Sequence, residues 1–188
     1  MKKIILTIAV VMAATFANAQ DKKESNAKSD IVFGVKGGYI NANYGADAND
    51  GDARSGFYLG GLVDFHVTEK FHVQPELLYT MEGNGETDFD LNFVRIPVMA
   101  KFFVGEGFNL QAGPELAFVA GGGAAKDYLK SMDFGLGFGA AYEMSSGLMF
   151  DARYNLGLSD LNDFPAGSGL EDAKITQNSF QIGLGYRF

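Results

Sequence analysis

Ser179-Phe180-Gln181-Ile182-Gly183-Leu184-Gly185-Tyr186-Arg187-Phe188 is the stretch on which the fold turns. Taken every second residue, one set is Phe180, Ile182, Leu184, Tyr186 and Phe188, and the set between is Gln181, Gly183, Gly185 and Arg187. Side chains alternate across a strand, so this segment predicts a strand with one apolar face and one face of small or polar groups. In a water-soluble protein the apolar face looks inward, and in a membrane barrel it looks out to lipid.

The same alternation recurs upstream and marks eight strands: Ile31 to Ile40, Gly56 to Val67, Phe71 to Met81, Asn92 to Val104, Phe108 to Ala120, Met132 to Glu143, Leu148 to Leu158, and Asn178 to Phe188. Each is close to the ~9–11 residues that a tilted strand needs to cross a bilayer. Thr68 to Lys70, Gly105 to Gly107 and Met144 to Gly147 are tight turns, whereas Asn41 to Ser55, Glu82 to Leu91, Gly121 to Ser131 and Ser159 to Gln177 are long connections. Outer-membrane barrels show this asymmetry, with short periplasmic turns and longer external loops. The pattern predicts an all-β fold, an eight-stranded antiparallel up-and-down transmembrane β-barrel over residues 31–188, closed by the last strand against Val32 to Tyr39.

Comparing faces sets the orientation. One face carries Phe33, Val35, Tyr39, Phe57, Leu59, Leu77, Tyr79, Ile96, Val98, Leu110, Phe134, Leu136, Phe150, Ile182 and their like, with no charge on any strand. The other carries Lys36, Asp64, Glu76, Arg95, Lys101, Glu115, Asp133, Glu143, Asp151, Arg153 and Arg187. A lipocalin-like soluble barrel turns the apolar set inward and binds a small ligand there. Three features favour the inverse arrangement: the inner charges nearly balance, the apolar face has aromatic rings near both strand ends, and the strands are long and even in number.

The N-terminus agrees with an exported chain. Lys2 and Lys3, the apolar run Ile4 to Phe16 and Ala17-Asn18-Ala19 predict a signal peptide over residues 1–19. The charged stretch that follows, residues 20–30, has no apolar periodicity and is expected to be flexible. Loss of Lys2 and Lys3 takes the formal charge from -8 to -10, which argues against a nucleic-acid partner. With no cysteine, neither a disulfide nor a lipidated N-terminal thiol is available. The 25 Gly, 17 Phe and 8 Tyr favour strands and turns.

Gln74-Pro75-Glu76-Leu77-Leu78-Tyr79, Arg95-Ile96-Pro97-Val98 with Lys101, Gly113-Pro114, Tyr154-Asn155-Leu156-Gly157-Leu158 and the final Gly185-Tyr186-Arg187-Phe188 occur in an order and spacing that carry a family likeness. Over Val32 to Phe188 the chain resembles the small outer-membrane β-barrel proteins of Bacteroidetes-type bacteria, the porin-family or outer-membrane-protein β-barrel domain. That family often has an acidic residue where this chain has Arg95. The resemblance implies an OmpA- or OmpX-like barrel in the bacterial outer membrane. It also implies a C-terminal signal for the barrel-insertion machinery, here Phe180, Ile182, Leu184, Tyr186 and Phe188.

Candidate sites follow from the inner face. Lys36, Asp64, Glu76, Arg95, Lys101, Glu115 and Arg153 are expected to form a polar network in the lumen in place of an apolar core. Eight strands enclose a space that side chains fill, whereas a porin needs about 16, so no solute channel is expected. Inner glycines such as Gly60, Gly135, Gly137, Gly139, Gly183 and Gly185 leave room for water pockets or weak ion leakage.

Neither catalysis nor a cofactor is expected. His66 and His72 both flank the turn at Glu69, and no serine neighbours either within its strand, so the Ser–His–acid arrangement of a hydrolase has no candidate there. They are taken as plain polar residues of the lumen, not metal ligands. Asp47-Ala48-Asn49-Asp50-Gly51-Asp52 has oxygen ligands but not EF-hand spacing, and is taken as a solvated acidic turn. An extracellular ligand would have to be held by this loop or by the one with Asp160, Asp163, Glu171 and Asp172. The resulting expectation is a structural or adhesive outer-membrane barrel whose partners are lipid and the insertion machinery. The alternatives are a narrow porin-like channel and a lipid-A-modifying barrel enzyme.

Overall fold

The computed structural model describes residues 31–45, 52–83, 90–123, 129–165 and 174–188. Eight strands lie within them: β1 Ile31–Gly45, β2 Asp52–His66, β3 Phe71–Glu82, β4 Leu91–Phe103, β5 Phe108–Gly122, β6 Met132–Glu143, β7 Leu148–Gly157 and β8 Thr176–Arg187. Each pairs antiparallel with the next, and β1 pairs with β8, so the sheet closes into the predicted barrel without a free edge. The predicted signal peptide, residues 1–19, and the segment 20–30 lie outside the described residues, as do Asp47 to Gly51, Glu171 and Asp172.

The two faces separate as the alternation requires. Leu59, Phe57, Ile182 and Phe102 are more than half exposed on the outer surface, while Lys36, Asp64, Glu76, Arg95, Lys101 and Arg153 are buried in the lumen. Phe71 pairs across to Phe102 and Phe108 to Tyr142, which places neighbouring rings on one rim.

Several strands run further than the alternation predicts. The ladder between β1 and β2 continues to Tyr44↔Asp52, so Asn41 to Gly45 and Asp52 to Ser55 are paired strand, not loop. The reason is local: beyond the lipid the outer face needs no apolar residues, so Asn41, Asn43 and Ser55 hide a ladder whose inner face still holds Ile40 and Ala42. For the same reason β3 reaches Glu82 and β8 begins at Thr176. The closing pair is shifted likewise: β8 lies against Gly34 to Gly45, not Val32 to Tyr39, as the stagger of tilted strands demands.

One rim has short turns over 67–70, 104–107 and 144–147. Thr68 Oγ1 accepts the Phe71 amide at 3.0 Å, and Gly107 and Gly147 have φ of 73° and 92°, a region that favours glycine. Long connections occupy the other rim. There Lys130 N donates to Leu161 O at 2.9 Å and Leu161 N to Ile175 O at 2.7 Å, which joins two of the loops.

Candidate functional site

The lumen is organised in three levels along the barrel axis. At the level nearest the long loops, Arg95 on β4 pairs with Glu82 on β3 at 2.6 Å and Glu115 on β5 at 2.8 Å. Glu82 also accepts from Tyr44 on β1, from Thr80 at 3.1 Å and from Gln177 on β8 at 2.7 Å. Below this level, Arg153 on β7 grips Glu76 on β3 at 2.7 and 3.1 Å and Gln111 at 3.1 Å. Lys36 on β1 lies 2.9 Å from Asp151 and 3.6 Å from Glu76. Nearest the short turns, Lys101 bridges Asp64 at 2.8 Å and Glu143, and Arg187 reaches Glu143 at 2.7 Å and Asp64 at 3.5 Å.

The levels share side chains. Gln74 accepts from Lys101 Nζ at 2.8 Å and donates to Glu76 at 2.8 Å, joining the lower level to the middle one. β3 and β7 stand on opposite walls, four strands apart either way round, so the Arg153–Glu76 pair spans the middle of the lumen.

Of the seven residues expected in the network, Glu76 meets Arg153 and Lys36, Arg95 meets Glu115, and Lys101 meets Asp64. The geometry adds Glu82, Tyr44 and Gln177, all of which lie outside the strands that the alternation predicts. The missed signal is the two-residue step Glu76, Leu78, Thr80, Glu82, whose inner face continues past the apolar outer set.

Charge does not fill the lumen alone. Ile40, Tyr58 and Leu78 form one buried apolar cluster, and Leu91, Phe93 and Ala117 form a second, with Tyr44, Val119 and Leu129 against it. Side chains also pack against three of the inner glycines. The Tyr58 hydroxyl and the Asp151 carboxylate lie against Gly183, Asn155 and Arg153 against Gly137, and Met149 and Lys36 against Gly185.

Asp64, His66 and His72 converge at the short-turn rim, with one donor atom from each lying within 4.8 Å of the others. At the opposite rim, Asp160 accepts the amides of Asn162 at 3.1 Å and Ile175 at 3.0 Å, and these bonds hold its pKa below the ordinary carboxylate value. Phe180, Ile182, Leu184 and Tyr186 on the outer face of the last strand and Phe188 just past its end are all exposed, Phe188 most.

A closed eight-stranded barrel with an apolar exterior, rings at its rims and charge sealed inside defines a transmembrane barrel of the bacterial outer membrane. The model of the family described as outer membrane protein beta-barrel domain matches residues 6–188, and the chain belongs to that family. Its location is the outer membrane. Among solved structures it is similar to Ail, the attachment invasion locus protein of Yersinia pestis, with a TM-score of 0.51 and 17% identity over 84% of this chain and 98% of that one. It is likewise similar to neisserial surface protein A, at 0.55 and 16% over 83% and 97%. Ail from Yersinia pestis in a phospholipid bilayer nanodisc gives 0.50 and 18% over 84% and 99%. At these identities the likeness carries the fold alone. No curated protein matches the chain.

Proposed function

We propose that this protein is a closed, side-chain-filled anchor with a structural or adhesive role, holding its long connections at the cell surface and passing no solute. The observation that carries this is the pair from Arg153 to Glu76, joined across the middle of the lumen and flanked by ion pairs at both other levels. A path for solute would have to break buried charge-assisted bonds at every level. In this reading Lys36, Asp64, Glu76, Arg95, Lys101, Glu115 and Arg153 are the polar core, and Phe180, Ile182, Leu184, Tyr186 and Phe188 are the segment read by the insertion machinery.

The loops would carry any adhesion. Asp160 and Asp163 stand in the last connection, whose acidic character suits a basic partner surface. Ail, which shares this fold, is named for attachment and invasion, so the adhesive arm is tested beside the structural one. No reaction is assigned, because both histidines sit at the rim away from the long connections, remote from outer-leaflet lipid.

Planar-bilayer recording of the purified barrel in molar salt tests the closed lumen. Absence of stable unitary steps is expected, and well-resolved steps that disappear with bulky lumen substitutions would establish the narrow-channel alternative instead. Loss of surface attachment on deletion, with unchanged detergent resistance of the envelope, separates the adhesive role from the structural one.

A further inference from the structure

We infer that Asp64, His66 and His72 form a binding site for a divalent transition metal, such as zinc, at the short-turn rim of the lumen. The three residues come from a single hairpin. Asp64 and His66 are two residues apart on β2 and so share its inner face, and the register pairs His66 directly with His72 on β3. A turn over 67–70 joins the two strands, so barrel formation sets this arrangement without help from a distant segment.

The distances suit a small ion. His72 Nδ1 lies 3.2 Å from Asp64 Oδ1, and His66 Nε2 lies 4.0 Å from Asp64 Oδ2. Zinc bonds of about 2.0–2.1 Å at the tetrahedral angle place neighbouring ligand atoms roughly 3.3 Å apart. With one ligand atom from each residue within 4.8 Å of the others, closing to that spacing takes movements of up to about 1.5 Å, within the reach of side-chain torsions. The imidazoles stack with centroids 4.1 Å apart, and the Phe103 ring lies 4.6 Å from that of His72 and backs it.

Two of the donor atoms are also unspent, while His72 Nδ1 lies within hydrogen-bond reach of Asp64 Oδ2 at 3.4 Å. Among the described residues neither His66 Nε2 nor Asp64 Oδ1 has a hydrogen-bond partner, although both atoms are buried. Buried polar atoms without partners are uncommon and call for an explanation. The site is open at one side: the His66 side chain is 24% exposed, whereas Asp64 is fully buried. Two imidazoles and one carboxylate suit zinc, nickel, cobalt or copper and not calcium or magnesium, and three protein ligands leave a coordination position for water.

The neighbouring charges oppose the metal, and this supplies a discriminating test. Lys101 Nζ lies 2.8 Å from Asp64 Oδ2 and the Arg187 guanidinium 3.5 Å from it, while Glu143 pairs with both cations. Lys101 thus occupies one carboxylate oxygen and weakens the attraction of the other for a cation. Removing it should tighten metal binding, an effect that stray surface histidines would not show.

The experiment uses the full barrel without an affinity tag, folded in detergent micelles, with zinc titrated against a chromophoric chelator at neutral pH and calcium as control. Expected are one saturable equivalent of zinc, at least about tenfold weaker binding in His66→Gln and in His72→Gln, and tighter binding in Lys101→Met. Heat-modifiable gel mobility identifies the folded variants. Cobalt titration of the unaltered protein, which needs no variant, should give the visible bands of a low-coordinate nitrogen and oxygen site. No saturable zinc, zinc binding indifferent to both histidine changes, or no cobalt bands would each overturn the assignment.

Discussion

Replacing Glu76 by leucine removes a buried carboxylate that takes two hydrogen bonds from Arg153, at 2.7 and 3.1 Å, and one from Gln74 at 2.8 Å. Hydrogen bonds to charged groups contribute about 1.5–3 kcal/mol each, so the gross loss is about 4.5–9 kcal/mol. Two effects reduce it: leucine needs no hydrogen bonds, and Lys36 keeps Asp151 at 2.9 Å. The stranded group is Arg153, whose side chain is fully buried and retains Gln111 at 3.1 Å. A net cost of about 3–5 kcal/mol is expected, the usual penalty for leaving one member of a buried pair. Adding Arg153→Met removes the stranded charge, so the double variant should be more stable than Glu76→Leu alone. Urea titration in lipid vesicles, scored by the mobility of unboiled samples, measures all four corners of this cycle. An unchanged midpoint for Glu76→Leu, or a double variant whose loss equals the sum of the singles, would refute the reasoning.

Deleting Phe188, whose amide donates to Phe33 O at 2.9 Å and whose ring meets Tyr186 at 5.6 Å, should leave export intact and lower the amount assembled in the outer membrane; normal assembled levels by fractionation would contradict this. Gly183→Val drives a side chain into the Tyr58 hydroxyl and the Asp151 carboxylate and should cost about 1–3 kcal/mol in the same urea titration. Asp160 has a lowered pKa, so the order it gives the last connection is present above the ordinary carboxylate pKa and is lost as pH falls through the depressed one. Hydrogen exchange at the Asn162 and Ile175 amides, compared at matched intrinsic rates, should show that loss on acidification, and Asp160→Ala should show it already at neutral pH.

The alternation made the strands and their facing legible because lipid demands an apolar outer set along the whole crossing. Met132–Glu143 coincides with its predicted bounds, since charge and turn residues stop the pattern abruptly at both ends. Asn41 to Gly45 was not legible, because above the lipid that demand lapses while the backbone ladder continues. The lumen was legible as a set of charges but not as pairs. Strand order brings Lys36 beside Asp151 from 115 residues away, and no spacing within either strand encodes that meeting. The cluster at Asp64 was hidden for a related reason: β2 and β3 had to be placed in register before His66 and His72 became neighbours.

An ionic lumen has a consequence beyond stability. Buried ion pairs are weak stabilisers, since apolar replacements of similar volume are often neutral or better. Their stronger effect here is on register. Slipping one strand by a residue turns its inner set outward, and a Lys or Arg then faces the bilayer at about 2–4 kcal/mol near the midplane. With Lys36 on β1, Lys101 and Arg95 on β4 and Arg153 on β7, a slip of any of these strands carries that penalty. An apolar lumen offers no such discrimination, because either face of the strand would then be acceptable to lipid. The Glu76 and Arg153 positions can therefore be apolar without great loss of stability, while Glu82 on β3, paired with Arg95, and Asp151 on β7, paired with Lys36, still hold those strands in place.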